Sequence, residues 1–307
     1  MNIKLSEHFG YKKLLRFTLP SIIMMVFTSI YGVVDGFFVS NYAGKTQFAA
    51  VNLIMPFLMI FGAVGFMIGT GGSALVSMKL GQKKPEKANE IFSLLIYGLI
   101  VVGLVFTVVG IAAMRPVAHK LGATADMLDY CVTYGRIIMV ALVPFMLQNV
   151  FQSFLVTAEK PQLGLYITIS AGVTNMVLDW LFLAVFKMGI AGAALATSIS
   201  QFIGGVIPLV YFILPNKSPL RLGRTHFDGK AILKASTNGS SEFMTNVSMS
   251  VVNMLYNFQL IKLAGQNGVS AYGVIMYVNM FFAPFKDENN RPAGVMVLIQ
   301  DITEHVR

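Results

Sequence analysis

Apolar runs recur along this 307-residue chain at the length that one helix needs to cross a bilayer, about 20 residues. They fall at 14–40, 49–76, 91–114, 127–156, 163–186, 190–214, 243–263 and 269–282, the last short for a full crossing. Hydrocarbon offers no partner to a bare amide or carbonyl, so such runs must close their hydrogen bonds within helices. Composition agrees. Only 12% of residues are charged, about half the share of a soluble domain, and the mean hydropathy is +0.69. A soluble globule, a disordered chain and a collagen-like chain are excluded. One cysteine, Cys131, leaves no internal disulfide framework. The expectation is an all-α, polytopic membrane protein.

The net charge of +9 does not point to nucleic acid, because the basic residues sit between the apolar runs and not along one face. Lys4, Lys12, Lys13 and Arg16 stand before or at the very start of the first run. Lys79, Lys83, Lys84 and Lys87 follow the second, and another group spans Lys217 to Lys234. Counting alternate connections, the opposite side holds fewer: Lys45, Arg115, Lys120, Lys187 and Lys262. That bias predicts a cytoplasmic N-terminus in a multi-pass protein of the cell inner (plasma) membrane. The first run is too long for a cleavable signal peptide.

The polar stretch after 214 is the natural joint between two halves. Leu14-Leu15-Arg16-Phe17-Thr18 resembles Ile232-Leu233-Lys234-Ala235-Ser236, and each leads into a long run that reaches an Ala-Gly turn, Ala43-Gly44 or Ala264-Gly265. Six spans separate the two starts, so the copies would run parallel through the membrane, one of the known transporter designs. The expected organisation is a six-helix N-lobe over 1–214, a linker over 215–231, and the first two helices of a second lobe over 232–282. The tail, 283–307, changes character, with a polar turn from Lys286 to Pro292 and a short strand from Gly294 to Gln300.

An ionisable side chain at membrane depth is costly and marks a functional site by default. Asp35 lies in the first span, Asp179 in the fifth with Asn175 one helical turn before it, Thr197 in the sixth and Tyr134 in the fourth. At a rise of about 1.5 Å per residue, Asp35 lies ~8 Å, Tyr134 ~11 Å, Asp179 ~12 Å and Thr197 ~15 Å from the outer end. Four helices thus bring polar groups to similar depth. Their oxygens suit a hard cation such as sodium. A carboxyl in a low-dielectric pocket can instead carry a proton, and an interhelical packing network is the remaining alternative. Pro20 is a candidate hinge or a static kink in the first helix. Gly65 and Gly69 have the spacing of a close helix contact rather than of a nucleotide loop. No nucleophile–His–acid set, zinc motif or P-loop is present, and His8, His119, His226 and His305 scatter outside the spans. The expectation is no enzyme, no cofactor and no metal beyond a coupling ion.

Three stretches resemble the multidrug and toxic compound extrusion (MATE) transporters. They are Gly69-Thr70-Gly71-Gly72-Ser73-Ala74-Leu75-Val76-Ser77 with Leu80-Gly81-Gln82, then Leu155-Val156-Thr157-Ala158-Glu159-Lys160-Pro161. The third is Asn175-Met176-Val177-Leu178-Asp179 with Gly189-Ile190-Ala191-Gly192-Ala193-Ala194-Leu195-Ala196-Thr197. The resemblance covers about residues 10–282. It implies a twelve-helix parent in two lobes, which exchanges drugs or other organic cations for sodium ions or protons by alternating access. It implies an N-lobe ion site at Asp35, Asn175, Asp179 and Thr197, with Tyr134 and Ala193 close by and Pro20 at the first-helix kink. A small drug-like substrate and the lipid bilayer would be its partners, with no nucleic acid and a monomeric state. The chain departs from this pattern near Ala283, and Gly294–Arg307 resembles the end of a PAS sensor domain. The alternatives are a lipid-linked precursor flippase of the same superfamily, a receptor carrying a sensor tail, and a truncated, inactive chain.

Overall fold

The computed structural model describes residues 11–279, with side chains from 17 to 276, and two short strands further on. The long apolar runs fold as helices. They are α1 (Tyr11–Phe38), α2 (Lys45–Gly81), α3 (Pro85–Lys120), α4 (Ala125–Val140), α5 (Leu142–Thr157), α6 (Pro161–Asp179) and α7 (Ile190–Ile213). A short helix, α8 (Gly229–Asn238), and a long one, α9 (Ser240–Asn279), follow. Strands β1 (Phe285–Lys286) and β2 (Pro292–Gly294) pair antiparallel. Lys286 and Pro292, expected in a turn, thus belong to strands; the remainder of the expected strand beyond Gly294 lies outside the described residues.

Turn chemistry explains where the helices stop. Gly44, Gly122, Gly189 and Gly265, one in each connection at one end of the bundle, all have positive φ, the conformation that lacks a penalty only without a Cβ. At the other end Lys83 and Glu159 take that conformation (φ 57 and 59). In both turns the following lysine amide closes a six-residue loop, Lys84 N to Lys79 O at 3.1 Å and Lys160 N to Leu155 O at 2.8 Å. Both then restart on a proline, Pro85 or Pro161, whose missing N–H costs nothing at the first helical position.

Five helices, α1, α2, α3, α6 and α7, are long and apolar enough to cross a membrane. The fourth expected span is a broken one: α4 and α5 meet at Ala141 with a bend of 54°. Pro144, four residues after Val140, removes a rung of the hydrogen-bond ladder and crowds the Val140 carbonyl. The seventh and eighth expected spans occupy α9, which Gly265 breaks with non-helical backbone (φ 59, ψ −149). α9 is not among the helices long and apolar enough to cross a membrane by length and composition. Asn246, Asn253, Asn257, Gln259, Lys262, Gln266 and Asn267 make its apolar run more polar than the others.

Glycines set the packing. A Cβ at Gly65 would lie 2.9 Å from the Met146 backbone, and one at Gly69 would lie 3.2 Å from Val150 Cα. The glycine stripe of α2 therefore seats directly on α5, the close contact that the spacing indicated. Phe92 of α3, Phe151 and Phe154 of α5 and Phe212 of α7 form a fully buried aromatic cluster, with neighbouring centroids 4.8–5.5 Å apart. α9 packs along α2, where Asn257 Nδ2 donates to the Asn52 carbonyl at 2.8 Å. Replacing Gly65 by Ala forces the α2–α5 backbones apart and is expected to cost about 1–3 kcal/mol. Gly98→Ala, which meets nothing within 4 Å, is the control. Thermal unfolding in detergent should show a lowered midpoint for the first variant and an unchanged or raised one for the second.

Candidate functional site

α1 and α6 pack along much of their length. A Cβ on Gly172 would come within 2.5 Å of the Phe27 ring and 3.0 Å of the Tyr31 ring, so only glycine lets the helices approach this closely. Phe27, Tyr31 and Asp35 follow one another at intervals of one turn on α1, and Gly172, Asn175 and Asp179 do nearly the same on α6. The contact made at Gly172 is thereby carried two turns further, to the acids.

There the Asp35 and Asp179 carboxyls stand within hydrogen-bonding reach of one another. Asp179 is fully buried, Asn175 is 1% exposed, and Asp35 is half-buried with Oδ1 shielded from solvent. Asp35 Oδ1, both Asp179 oxygens and Asn175 Oδ1 have no hydrogen-bond donor among the described residues. A buried acceptor without a donor is costly, and two carboxylates face to face repel. Four buried acceptor oxygens on two packed helices, including those of two carboxyl groups within reach of each other, have the chemistry of groups that favour a proton or a cation. Among the described residues no group of three or more His, Cys, Asp or Glu is placed to hold a metal, so any cation here would depend on amide, hydroxyl or carbonyl oxygens beside the two acids.

Both acid-bearing helices end in a widened, π-helical turn, Val39–Ala43 after α1 and Trp180–Val185 after α6, and the two turns touch. Such turns occur frequently at functional sites. No signal for them was read in the sequence. The residues beyond the second turn are held by Gln47 of α2, whose Oε1 accepts from the Ile190 amide at 2.6 Å.

The other expected residues lie on α1, α4 and α7. Thr197 lines a small cavity of about 20 Å3, the space of roughly one water, with Gln201, Met55, Met59, Ile138 and Met139. Tyr134 is 2% exposed and its hydroxyl donates to Met55 Sδ at 3.6 Å. Ala193 is buried in the first turn of α7. Pro20 is buried within α1, which continues through it to Phe38. Gln201 was missed by sequence reasoning. Its Oε1 is buried without a partner beside the Thr197 cavity, and a long amide in an apolar helix was the signal that could have found it. Of the histidines, His119 and His226 are exposed, and His8 and His305 lie outside the described side chains.

A bundle of long apolar helices with a pair of facing carboxyls at membrane depth defines a multi-pass membrane protein of the transporter class. The MatE family profile matches residues 20–181, just over half of the chain, and the chain belongs to that family, whose members are transporters and not enzymes. It is 23% identical over 265 residues to a multidrug export protein MepA of Staphylococcus saprophyticus, and 27% identical over 266 residues to a MepA of Staphylococcus haemolyticus. Each match covers 86% of this chain and 58% of the relative, so the chain spans little more than half the length of these relatives. Among solved structures, an inward-facing multidrug resistance MATE transporter superposes with a TM-score of 0.79 at 21% identity, covering 87% of this chain and 61% of that one. An outward-facing form gives 0.77 at 21%, with 87% and 59% covered. The two values are too close to favour either state.

The α1–α6 geometry is directly testable. In a Cys131→Ser background, the pair Asp35→Cys and Asp179→Cys should cross-link under mild oxidation. Adding Gly172→Leu should abolish the cross-link by wedging the helices apart. Cross-linking that persists with leucine at 172 would contradict the packing described.

Proposed function

We propose that this chain belongs to an antiporter of the plasma membrane that exports drugs or other organic cations in exchange for sodium ions or protons. The observation that supports the reading is the pair of facing carboxyls, Asp35 and Asp179, with Asn175 beside them and four acceptor oxygens left without donors. The similarity to multidrug export proteins supplies the substrate class.

In this reading the pair is the coupling site. When a proton or a sodium ion occupies it, the repulsion between α1 and α6 is neutralised and the helices stay together. When it leaves, two carboxylates remain at short range and strain that contact, which favours a different packing of the lobe. The pair titrates as one unit, so its occupancy and not the charge of either acid is what a conformational change would sense. Asn175 is assigned as a neutral ligand. Thr197 is assigned as a further one, reached by a movement of α7 or through a water in its cavity. Pro20 would give α1 the freedom to bend, and Tyr134 and Ala193 would wall the site from α4 and α7.

The proposed organisation keeps an N-lobe over 1–214, a linker over 215–231, the start of a second lobe over 232–282 and a separate tail over 283–307. It also keeps a cytoplasmic N-terminus, supported by the basic bias, and a monomeric state. A flippase for an anionic lipid-linked precursor fits less well. It would need cationic groups in its path, whereas Arg136 and Lys262 are both exposed and Lys262 lies over the Phe258 ring, 4.1 Å from its centroid. In everted vesicles, Asp35→Asn is expected to reduce ethidium movement driven by a sodium or pH gradient to background, with insertion intact. Unchanged movement would exclude the carboxyl pair as the coupling site.

A further inference from the structure

At the end of the bundle that carries the α2–α3 and α5–α6 turns, the linker after α7 is strapped down. Asn89 of α3 brackets it, its Oδ1 accepting from the Arg221 amide at 2.7 Å and its Nδ2 donating to the Pro219 carbonyl at 3.4 Å. Ser93 Oγ accepts from the Gly223 amide at 3.0 Å, and Thr225 Oγ1 donates to the Glu90 carbonyl at 2.8 Å. Leu220 and Leu222 are buried beneath the strap. The strap runs directly into α8, whose first turn is capped by Asp228 Oδ1 accepting from the Lys230 and Ala231 amides, both at 3.1 Å. Ala231 and Ala235 face the core, and α8 packs on α2.

The strap and the free side of α8 display one consistent chemistry. Lys217, Arg221, Arg224, Lys230 and Lys234 are all exposed, and none forms an ion pair with a described residue. The one carboxylate of the segment, Asp228, is engaged as the helix cap. Between the cations Phe227 is 86% exposed and Leu233 is 65% exposed. Lys83 and Lys84 stand exposed on the neighbouring α2–α3 turn. A phenyl ring and a leucine held out among fixed cations, where membrane-crossing helices end, match the headgroup layer of a bilayer. There apolar groups reach the acyl boundary while ammonium and guanidinium groups meet phosphate.

We propose that the segment 217–234 is a binding surface for the anionic phospholipids of the leaflet it faces, with Phe227 and Leu233 inserted at the acyl boundary and the five basic side chains on the headgroups. The surface goes beyond orienting the chain, because the hydrogen bonds to α3 fix the cations in place and transmit their attachment to the bundle. The proposal is independent of the antiport reading.

The test uses the full chain in vesicles of phosphatidylcholine with an equal part of phosphatidylglycerol. The chain has one tryptophan, Trp180. Trp180→Phe with Phe227→Trp therefore places the fluorophore on the strap. Brominated phosphatidylglycerol is expected to quench the introduced tryptophan about fivefold more effectively than brominated phosphatidylcholine, as attraction of a basic residue to an anionic surface implies. The preference should fall as salt is raised. Replacing the five basic residues by glutamine should equalise the two lipids, and replacing only Lys230 and Lys234 should give an intermediate value. The strap bonds use backbone groups, α3 side chains and the Thr225 hydroxyl, none of which these variants change. Equal quenching by both lipids in the parent would overturn the proposal. So would quenching by neither, with acrylamide access then showing a solvent-exposed ring and acrylamide exclusion showing a surface covered by protein.

Discussion

Two carboxyl groups face one another where α1 and α6 meet, and their mutual repulsion is the constraint on which the proposed function rests. Lipid-facing helices gain nothing from association through the hydrophobic effect, so α1 and α6 meet through close packing and what lies between their polar groups. In the proposed function, Asp35 and Asp179 make that contact conditional. With a proton or cation between them the helices are joined; without it they repel. An arrangement of that kind is what the proposed ion-driven exchange needs, and the packing of the lobe supports it.

That support is largely glycine and proline. Gly172 admits Phe27 and Tyr31 and so sets the distance at which the acids meet. Gly65 and Gly69 bring α2 onto α5, and Gly205 admits the backbone of Pro144 at the α4–α5 break. Each contact is backbone against backbone or against an aromatic ring, which leaves little room to give. In the proposed function, a lobe built this way would move as packed units about its irregular points, here the α4–α5 bend and the two π-helical turns.

Much of this was legible in the sequence because the bilayer imposes it. The positions of α1, α2, α3, α6 and α7 follow from runs long enough to cross, and Asp35, Asn175 and Asp179 stood out because charge at that depth is rare. The bend within the fourth run was not read, although Pro144 marks it. The amides of the seventh and eighth runs carried no direction in the sequence; Asn257 turns to the Asn52 carbonyl of α2, and sequence alone does not say which way an amide faces. Thr197 was grouped with the acids by depth. Depth along a helix axis does not fix azimuth, and the small cavity that Thr197 lines with Gln201 was not legible in the sequence. The π-helical turns left no trace in the pattern because they depend on how α1 and α6 end against each other.

The central claim is that the Asp35–Asp179 pair is one site that exchanges a proton or a sodium ion. Difference infrared spectroscopy of the reconstituted chain tests it most directly. A carboxyl stretching band should change when sodium is added or the pH is stepped, and that change should be absent from Asp35→Asn and from Asp179→Asn alike. A spectrum that ignores both ions, or a band that survives unchanged in either variant, would contradict the account.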